Sequence, residues 1–519
     1  MKPLKLRDLQ IGNIDAKNEL LTGSDDEIDF FRRGFCLPPN IVLEDFLSSK
    51  KYFVTGLKGI GKTALLRFIA LEAEKKFGAT TCFVLFKSEV KEQDRKDICR
   101  ASRADIIEKN IDDYPDTDFE VVWKWFIHRK IVDTIRECKL KVFIDDDNYK
   151  KYEKCVTAPK LEEKSSGIKR LIPNLNKGSI EISKTPKIGL DFDWEDKDKT
   201  LVKFYSIAKQ ADQLFKELKP AGGFLCLFLD ELELTLGSQK QYKRDAALIR
   251  DLIVAVEQIN SASKKIKSNV IVYAGIRSEV ISAIESVGKE INKIIGDFGS
   301  QIIWHQSGSE NENHPLLNII VQRISISENI DITQNEYSKS VIWNKYFPKT
   351  IQGIQSEKYI LHNSWYRPRD LVRLLNLARD QFPDLQGFSQ RVFDGTKKQY
   401  SQESWVELAE ELSVKYSQPE ISGIQQIFNG YKRQFSFGDI QLHIEKRLKL
   451  YPAIETVLNS HKLGEILTDL YNVGFIGNVL FSGGRGDVVK MRFSFRGDPN
   501  LILEEKLTIH KGLYSFFTL

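Results

Sequence analysis

Apolar positions along the chain fall into a recurring rhythm of short runs and helical stripes. Between residues 50 and 87 the runs KYFVT and TTCFVLF flank a glycine-rich loop, GLKGIGKT, and a helical stretch, ALLRFIALEAEKKF. The rhythm returns with the unbroken apolar run FLCLFL at 224–229, a helical pattern over 243–260 (KRDAALIRDLIVAVEQIN) and a further strand, NVIVYAG, at 269–275. Short strands of this kind alternating with helices predict βα units and a parallel sheet.

The stretch between these blocks does not fit a minimal core. Residues 119–137 (FEVVWKWFIHRKIVDTIRE) read as a largely apolar, buried helix. Residues 150–200 are Lys-rich and irregular, but SIEIS and IGLDFDW alternate strictly around TPK, which predicts a β-hairpin near 179–194. An insertion over about 140–200 is therefore expected, exposed, with a partner or regulatory role or none beyond a solvated excursion. After 300 the pattern turns helical, with HPLLNIIVQRI, RPRDLVRLLNLARDQF and a charged run near 402–416. The last part of the chain shows helical patterns at 440–450 and 462–473, then FIGNVLFS, the turn GGRGD and VVKMRFSFRG. Two helices followed by a glycine-turned hairpin is the layout of a winged helix. The expected division is a core over 1–300, a helical lid over 301–420 and a winged-helix-like domain over 421–519.

Length and composition fit this picture. At roughly 100–200 residues per domain, 519 residues make three or four units. Hydrophobic residues are 41% and charged residues 29%, which excludes wholesale disorder. Lys and Arg total 77 against 72 Asp and Glu, so the net charge of +5 does not by itself mark a nucleic-acid protein. The six cysteines lie singly, without the paired spacing of a zinc module or disulfide framework, and read as reduced thiols. The opening MKPLKLRDLQIGN has no apolar run, and no apolar stretch approaches the roughly 20 residues that span a bilayer. The expectation is a cytoplasmic protein without membrane contact.

The chemistry is carried first by Gly56, Leu57, Lys58, Gly59, Ile60, Gly61, Lys62 and Thr63, which match G-x-x-x-x-G-K-[ST] without departure. Glycines let the backbone curl so that successive N–H groups point inward at phosphate. Lys62 supplies the cation between β- and γ-phosphates, Thr63 a hydroxyl for Mg²⁺, and the helix opening at Ala64 adds its positive end. These residues predict an ATP and Mg²⁺ site. Such a loop needs a distant acid, and the strand FLCLFL runs into Asp230 and Glu231. Asp230 is expected to hold Mg²⁺ through water and Glu231 to polarise the attacking water. The rival run before Asp145, Asp146 and Asp147 is short and reads as a solvated turn. Arg277, at the end of the NVIVYAG strand, is placed to report the γ-phosphate or else to cap the next helix. Arg367 and Arg369 flank Pro368 at a helix start, where they meet phosphate or form structural ion pairs. Arg323 is a candidate arginine finger for a neighbouring subunit. In the C-terminal hairpin, Val489, Met491, Phe493 and Phe495 alternate with Lys490, Arg492 and Arg496; with Arg485 in the turn these make a basic wing able to lie on duplex DNA, or a solvated face. No His or Cys cluster has ligand spacing, and nothing reads as a Ser-His-Asp or Cys-His nucleophile.

GLKGIGKT, FLCLFLDE, GIRSE and RPRDL stand in the order used by AAA+-related switch ATPases. The chain resembles the STAND and origin-recognition-like branch of that superfamily, and more narrowly a group of bacterial P-loop ATPases whose C-terminus carries an IGN…RFSFRGD-like winged segment. The likeness covers about 40–300 and 360–510. It implies that Arg277 senses the γ-phosphate and that Arg367 or Arg369 contacts nucleotide from the lid. It also implies a slow, regulated ATPase that acts as a homo-oligomer with a protein partner or effector, in a setting such as bacterial anti-phage defence. The long span of about 167 residues between Lys62 and Asp230 departs from a simple ring-forming motor, and no pore-loop or helicase signature is present. The leading expectation is an ATP-controlled switch in which ATP bridges core and lid. The alternatives are an ATP-controlled DNA-binding initiator or loader, and a small-molecule phosphotransferase; an inert nucleotide-binding scaffold conflicts with the intact set Lys62, Thr63, Asp230 and Glu231.

Overall fold

In a computed structural model, the structure describes residues 2–19, 23–86, 119–158, 179–181, 201–232, 239–285, 291–305, 314–330, 336–413, 415–482 and 488–519. The chain divides into two compact units, one of residues 41–57 and 62–302, the other of residues 1–40, 58–61 and 303–519.

The first unit is built on a five-stranded parallel sheet. Its strands are β1 (Phe53–Gly56), β2 (Thr80–Leu85), β5 (Phe224–Leu232), β6 (Asn269–Arg277) and β7 (Gly299–Gln301), in the order β2-β5-β6-β1-β7. The central strands are apolar on both faces because helices cover both, which is why FLCLFL and NVIVYAG read as unbroken apolar runs. Phe83, Phe228 and Tyr273 sit in register on adjacent strands. Their rings stack with centroids 4.6 and 4.8 Å apart, and the Tyr273 hydroxyl donates to the Phe46 carbonyl at 2.9 Å.

The tract between β2 and β5 is less of an excursion than its composition indicates. Helix Glu120–Cys138 is buried along Trp123, Trp125, Phe126, Ile127 and Ile131. It docks on helix Gln239–Lys265 through the Trp123 indole, which donates to the Leu248 carbonyl at 2.8 Å. Asp145 and Asp147 are solvent-exposed as expected, but the segment opens a helix and is not a plain turn. Asp146 caps helix Asp147–Thr157, its carboxylate accepting from the N–H groups of Asn148 and Tyr149 at 3.0 Å each. Interspersed lysines hide the apolar face of that helix in the sequence, yet Tyr152, Cys155 and Val156 are buried. The expected hairpin over 179–194 is also revised. Ser179–Glu181 (β3) pairs antiparallel with Leu201–Lys203 (β4), and residues 182–200, which include its expected second strand, lie outside the described residues.

The second unit joins the N-terminal residues to the later part of the chain. Residues 1–40 were expected with the core, but Leu6, Leu9 and Ile11 are buried in this unit instead. The Leu6 N–H donates to the Leu385 carbonyl at 2.7 Å and the Asn376 amide to the Gly12 carbonyl at 2.9 Å. Helices Pro315–Ser327, Glu336–Tyr346, Ser356–Asn363, Pro368–Gln381 and Gln390–Leu412 follow, with a two-stranded ribbon of β8 (Thr350–Ile351) and β9 (Ile354–Gln355). The C-terminal part holds helices Gln418–Phe428, Phe437–Arg447, Pro452–Ser460 and Leu463–Asn472. Beside them lies an antiparallel sheet of β10 (Gln434–Phe435), β11 (Ile476–Ser482), β12 (Val488–Arg492) and β13 (Lys506–Ile509), ordered β10-β13-β11-β12. The hairpin of β11 and β12 is present, and β13 adds a strand that the sequence did not announce. No helix among the described residues is long and apolar enough to cross a membrane. Cys36, Cys82, Cys138, Cys155 and Cys226 are free thiols.

Phe228 lies fully buried between two rings, so Phe228→Ala is expected to lower unfolding free energy by about 3–5 kcal/mol, read as a shifted denaturant midpoint.

Candidate functional site

β1 ends at Gly56 and helix Lys62–Phe77 opens the far side of the glycine loop, as a phosphate-binding turn requires. Gly59 and Gly61 hold φ of +74° and +104°, which L side chains rarely adopt. The ammonium of Lys62 turns back on its own loop, donating to the Gly56 and Leu57 carbonyls at 2.9 Å each.

β6 lies between β1 and β5, so the loop strand and the acid strand are separated by one strand width. Asp230 is only 2% exposed. Across 167 positions of sequence, the Thr63 hydroxyl donates to its carboxylate at 2.6 Å. Gly275 on β6 makes this possible, because a Cβ there would come within 2.6 Å of the Asp230 carboxylate. The β5–β6 register shifts between Leu229 and Leu232, and Glu231 in that irregularity takes a φ of +58°. The irregularity turns the backbone immediately after Asp230, and such strain in a non-glycine residue is found where function demands it. Arg277 sits directly opposite Gly56 in the parallel register of β6 and β1. Lys62, Thr63, Asp230, Glu231 and Arg277 thus converge at the C-terminal ends of adjacent parallel strands, where ligands bind in open α/β sheets.

Among the described residues, no group of three or more His, Cys, Asp or Glu side chains is placed to hold a metal. A hydroxyl beside one buried carboxylate nevertheless suits Mg²⁺, which takes one or two protein oxygens and completes its shell with phosphate and water.

The loop tip, Lys58–Gly61, belongs to the second unit. Its Gly59 lies against Arg369, whose Cβ would be 3.2 Å from a Cβ on the glycine, and the Arg369 N–H donates to the Gly59 carbonyl at 3.3 Å. The Trp304 indole donates to the Ile60 carbonyl at 2.9 Å. Lys58 is expected in the loop by its backbone; its ammonium meets Glu407 at 3.0 Å and Glu410 at 2.9 Å, leaving its side chain 10% exposed. Glu407, Glu410 and Glu411 share one face of helix Gln390–Leu412. Arg369 reaches Glu407 at 3.5 Å and Arg373 reaches it at 3.6 Å, while Arg367 pairs with Glu411 at 3.1 Å and donates to the Val473 carbonyl at 3.2 Å. Arg367 is therefore buried in an ion pair, and both it and Arg369 lie against Gly59, Arg369 the nearer. Trp304 and the three glutamates escaped sequence reasoning. The glutamates lay in a run that read as ordinary helix charge, and nothing local marks a tryptophan as a donor to a distant loop.

Two further arginine expectations are corrected. Arg323 is not a finger for another subunit: it is buried against Glu19 at 2.8 Å and donates to the Ile11 carbonyl, a pairing made possible by the N-terminal segment. The basic wing is not an alternating face either, because β12 ends at Arg492 and Ser494–Arg496 form a 3₁₀ turn. Arg496 lies over the Tyr366 ring at 4.9 Å. The cross-strand partner of Arg492 is Asn478, buried and bonded both ways to Ile502, and Arg492 itself is 3.7 Å from Asp498. Arg485 and the Lys490 side chain lie outside the described residues. Helix Leu463–Asn472, which precedes the hairpin, carries Glu465 and Asp469 and no Lys or Arg.

Sheet and helices together fit an α/β NTPase-like fold, and a helical domain follows it in the chain. Residues 314–409 match the family described as the FunZ-associated C-terminal helical domain. The match runs from His314, which caps helix Pro315–Ser327, through most of helix Gln390–Leu412, and so includes Arg367, Arg369 and Glu407. No curated protein matches the chain.

Burial raises the Glu407 carboxyl, but Lys58, Arg369 and Arg373 outweigh it and hold the group below its ordinary 4.5. A depressed pKa stabilises above the ordinary value and loses that contribution as pH falls through the folded one. The second unit should therefore lose stability as pH drops below about 4.5, and Glu407→Gln should flatten that acid limb in urea midpoints measured against pH.

Proposed function

We propose that the chain binds and hydrolyses ATP and that it works as a molecular switch of the AAA+/STAND type. The observation that carries this reading is the Thr63–Asp230 hydrogen bond beside an Arg277 in register with Gly56. On this reading the glycine loop, the Thr63–Asp230 pair and Arg277, all at one end of one sheet, would serve phosphate, metal and terminal phosphate in turn.

Each residue then has a task. The loop N–H groups bind the phosphate chain, and Lys62 leaves the Gly56 and Leu57 carbonyls to bridge β- and γ-phosphates. Thr63 and Asp230 would hold Mg²⁺, the Asp through water, and the ion would supply charge neutralisation at the phosphates. Glu231, turned by the β5 irregularity, orients water and accepts its proton. Arg277 reads whether a γ-phosphate is present. Hydrolysis is favoured over transfer to a metabolite by the paired Asp230 and Glu231 after a long apolar strand.

The switch reading comes from the resemblance to AAA+-related switch ATPases carried by GLKGIGKT, FLCLFLDE, GIRSE and RPRDL. A nucleotide shifts a conformational equilibrium only by its differential affinity for the two states. A protein partner would receive the signal, in the bacterial defence setting that the family resemblance implies. The pairing of Arg492 with Asp498 and the stacking of Arg496 on Tyr366 weigh against a duplex-reading wing.

Lys62→Ala should weaken Mg·ATP binding about tenfold or more, measured by calorimetry, since a charge-assisted contact is lost. Glu231→Gln should keep ATP affinity and lower kcat by about 10²–10⁴-fold in a phosphate-release assay. Turnover by Glu231→Gln at the wild-type rate would remove Glu231 from the base position. If wild-type protein neither binds nor hydrolyses Mg·ATP, the proposal as a whole falls.

A further inference from the structure

The glycine loop has to present N–H groups to phosphate, yet each of its peptides could rotate either way. In a planar trans peptide the carbonyl of one residue points opposite to the N–H of the next. A donor that fixes a carbonyl on the outside of the loop thereby fixes the following N–H on the inside.

The outer carbonyls are accounted for in this way. The carbonyls of Gly56 and Leu57 are a separate case, accepting from Lys62 on the side where phosphate would lie. The Gly59 carbonyl accepts from the Arg369 backbone, and the Ile60 carbonyl accepts from the Trp304 indole. Trp304 is 3% exposed and Ile60 is buried, so this bond is sheltered from competing water. It is also the shorter of the two, 2.9 against 3.3 Å, and the one that a side-chain change can remove cleanly. The peptide it governs joins Ile60 to Gly61, whose N–H lies immediately before Lys62.

We propose that Trp304 is a positioning residue for the phosphate loop: its indole N–H holds the Ile60 carbonyl outward and so aims the Gly61 N–H into the cradle. This rests on the ATP reading above for its purpose, but the pin itself is a property of the loop. Trp304 touches no phosphate in this arrangement and acts only through the peptide it holds. The residue lies outside the G-x-x-x-x-G-K-[ST] motif and outside the matched segment 314–409.

Trp304→Phe keeps an aromatic ring in the site and removes the donor. In full-length protein before nucleotide is added, hydrogen exchange of a peptide spanning 57–63 should rise about tenfold, the effect of losing one buried hydrogen bond. With Mg·ATP, KM should rise by about the same factor while kcat stays within about twofold, because the peptide acts in binding and not in the chemical step. A merely structural tryptophan would instead lower active fraction and kcat at constant KM, and that result overturns the proposal, as does unchanged exchange at the loop. Should Trp304→Phe fail to fold, replacing Trp304 by its benzothienyl isostere deletes the N–H at constant shape, and the same two measurements decide. If the wild type shows no turnover while loop exchange still rises in the variant, the pin stands and the ATP reading fails.

Discussion

A carboxylate shut away from water must find a donor, and much of the first unit is arranged around how Asp230 finds one. Its side chain ends up beside the Thr63 hydroxyl because β5 pairs with β6 and β6 pairs with β1, each parallel and each in a definite register. The absence of a Cβ at Gly275 leaves room for the carboxylate between them. Were any of these registers displaced by one residue, every side chain on the strand would change face. The acid would then point away from the loop. Burying an unpaired charge is costly enough that the bond and the register sustain each other. The irregularity that sets Glu231 at positive φ follows directly on this fixed point.

The loop itself shows a second principle, that a backbone curl permitted by glycine is not yet a curl that is held. Gly59 and Gly61 allow the necessary dihedrals. Trp304 and the Arg369 backbone settle which way the peptides face, and Glu407 with Glu410 settle where the Lys58 cation rests. Three carboxylates on one helix face, together with Asp370, pair with Lys58, Arg367, Arg369 and Arg373 in a partly buried network, where removing one charge would strand another. Part of the FunZ-associated segment is thus engaged with the tip of the loop inside the second unit. Charges that in isolation read as a solvated helix surface are paired with the cations around the loop tip.

Much of the fold was legible wherever a pattern is local and long. The strands around FLCLFL and NVIVYAG, the buried helix of 119–137 and the hairpin before and after the GGRGD turn all follow from periodicity over several residues. What escaped was short, or made by distant partners. Asp146 caps a helix whose apolar face is only Tyr152, Cys155 and Val156 among lysines. β3 finds its partner at Leu201–Lys203, and β13 is four residues long. Arg323 is claimed by Glu19 from a segment over 300 positions earlier.

By itself the sequence determined the chemical vocabulary: a loop able to curl, a lysine and a hydroxyl at its end, an acid pair closing an apolar strand and an arginine closing another. These are consequences of residue type and near neighbours, since dihedral freedom, strand burial and helix capping act over a few positions. Only the tertiary structure decided which of the arginines are ion-paired scaffolding, that Lys58 answers to Glu407 and Glu410, and that a tryptophan outside every motif holds the loop. The reason is that hydrogen bonds and ion pairs are selected by proximity in space. Any of several donors of the same chemistry would have served Ile60, and the path of the chain brought Trp304.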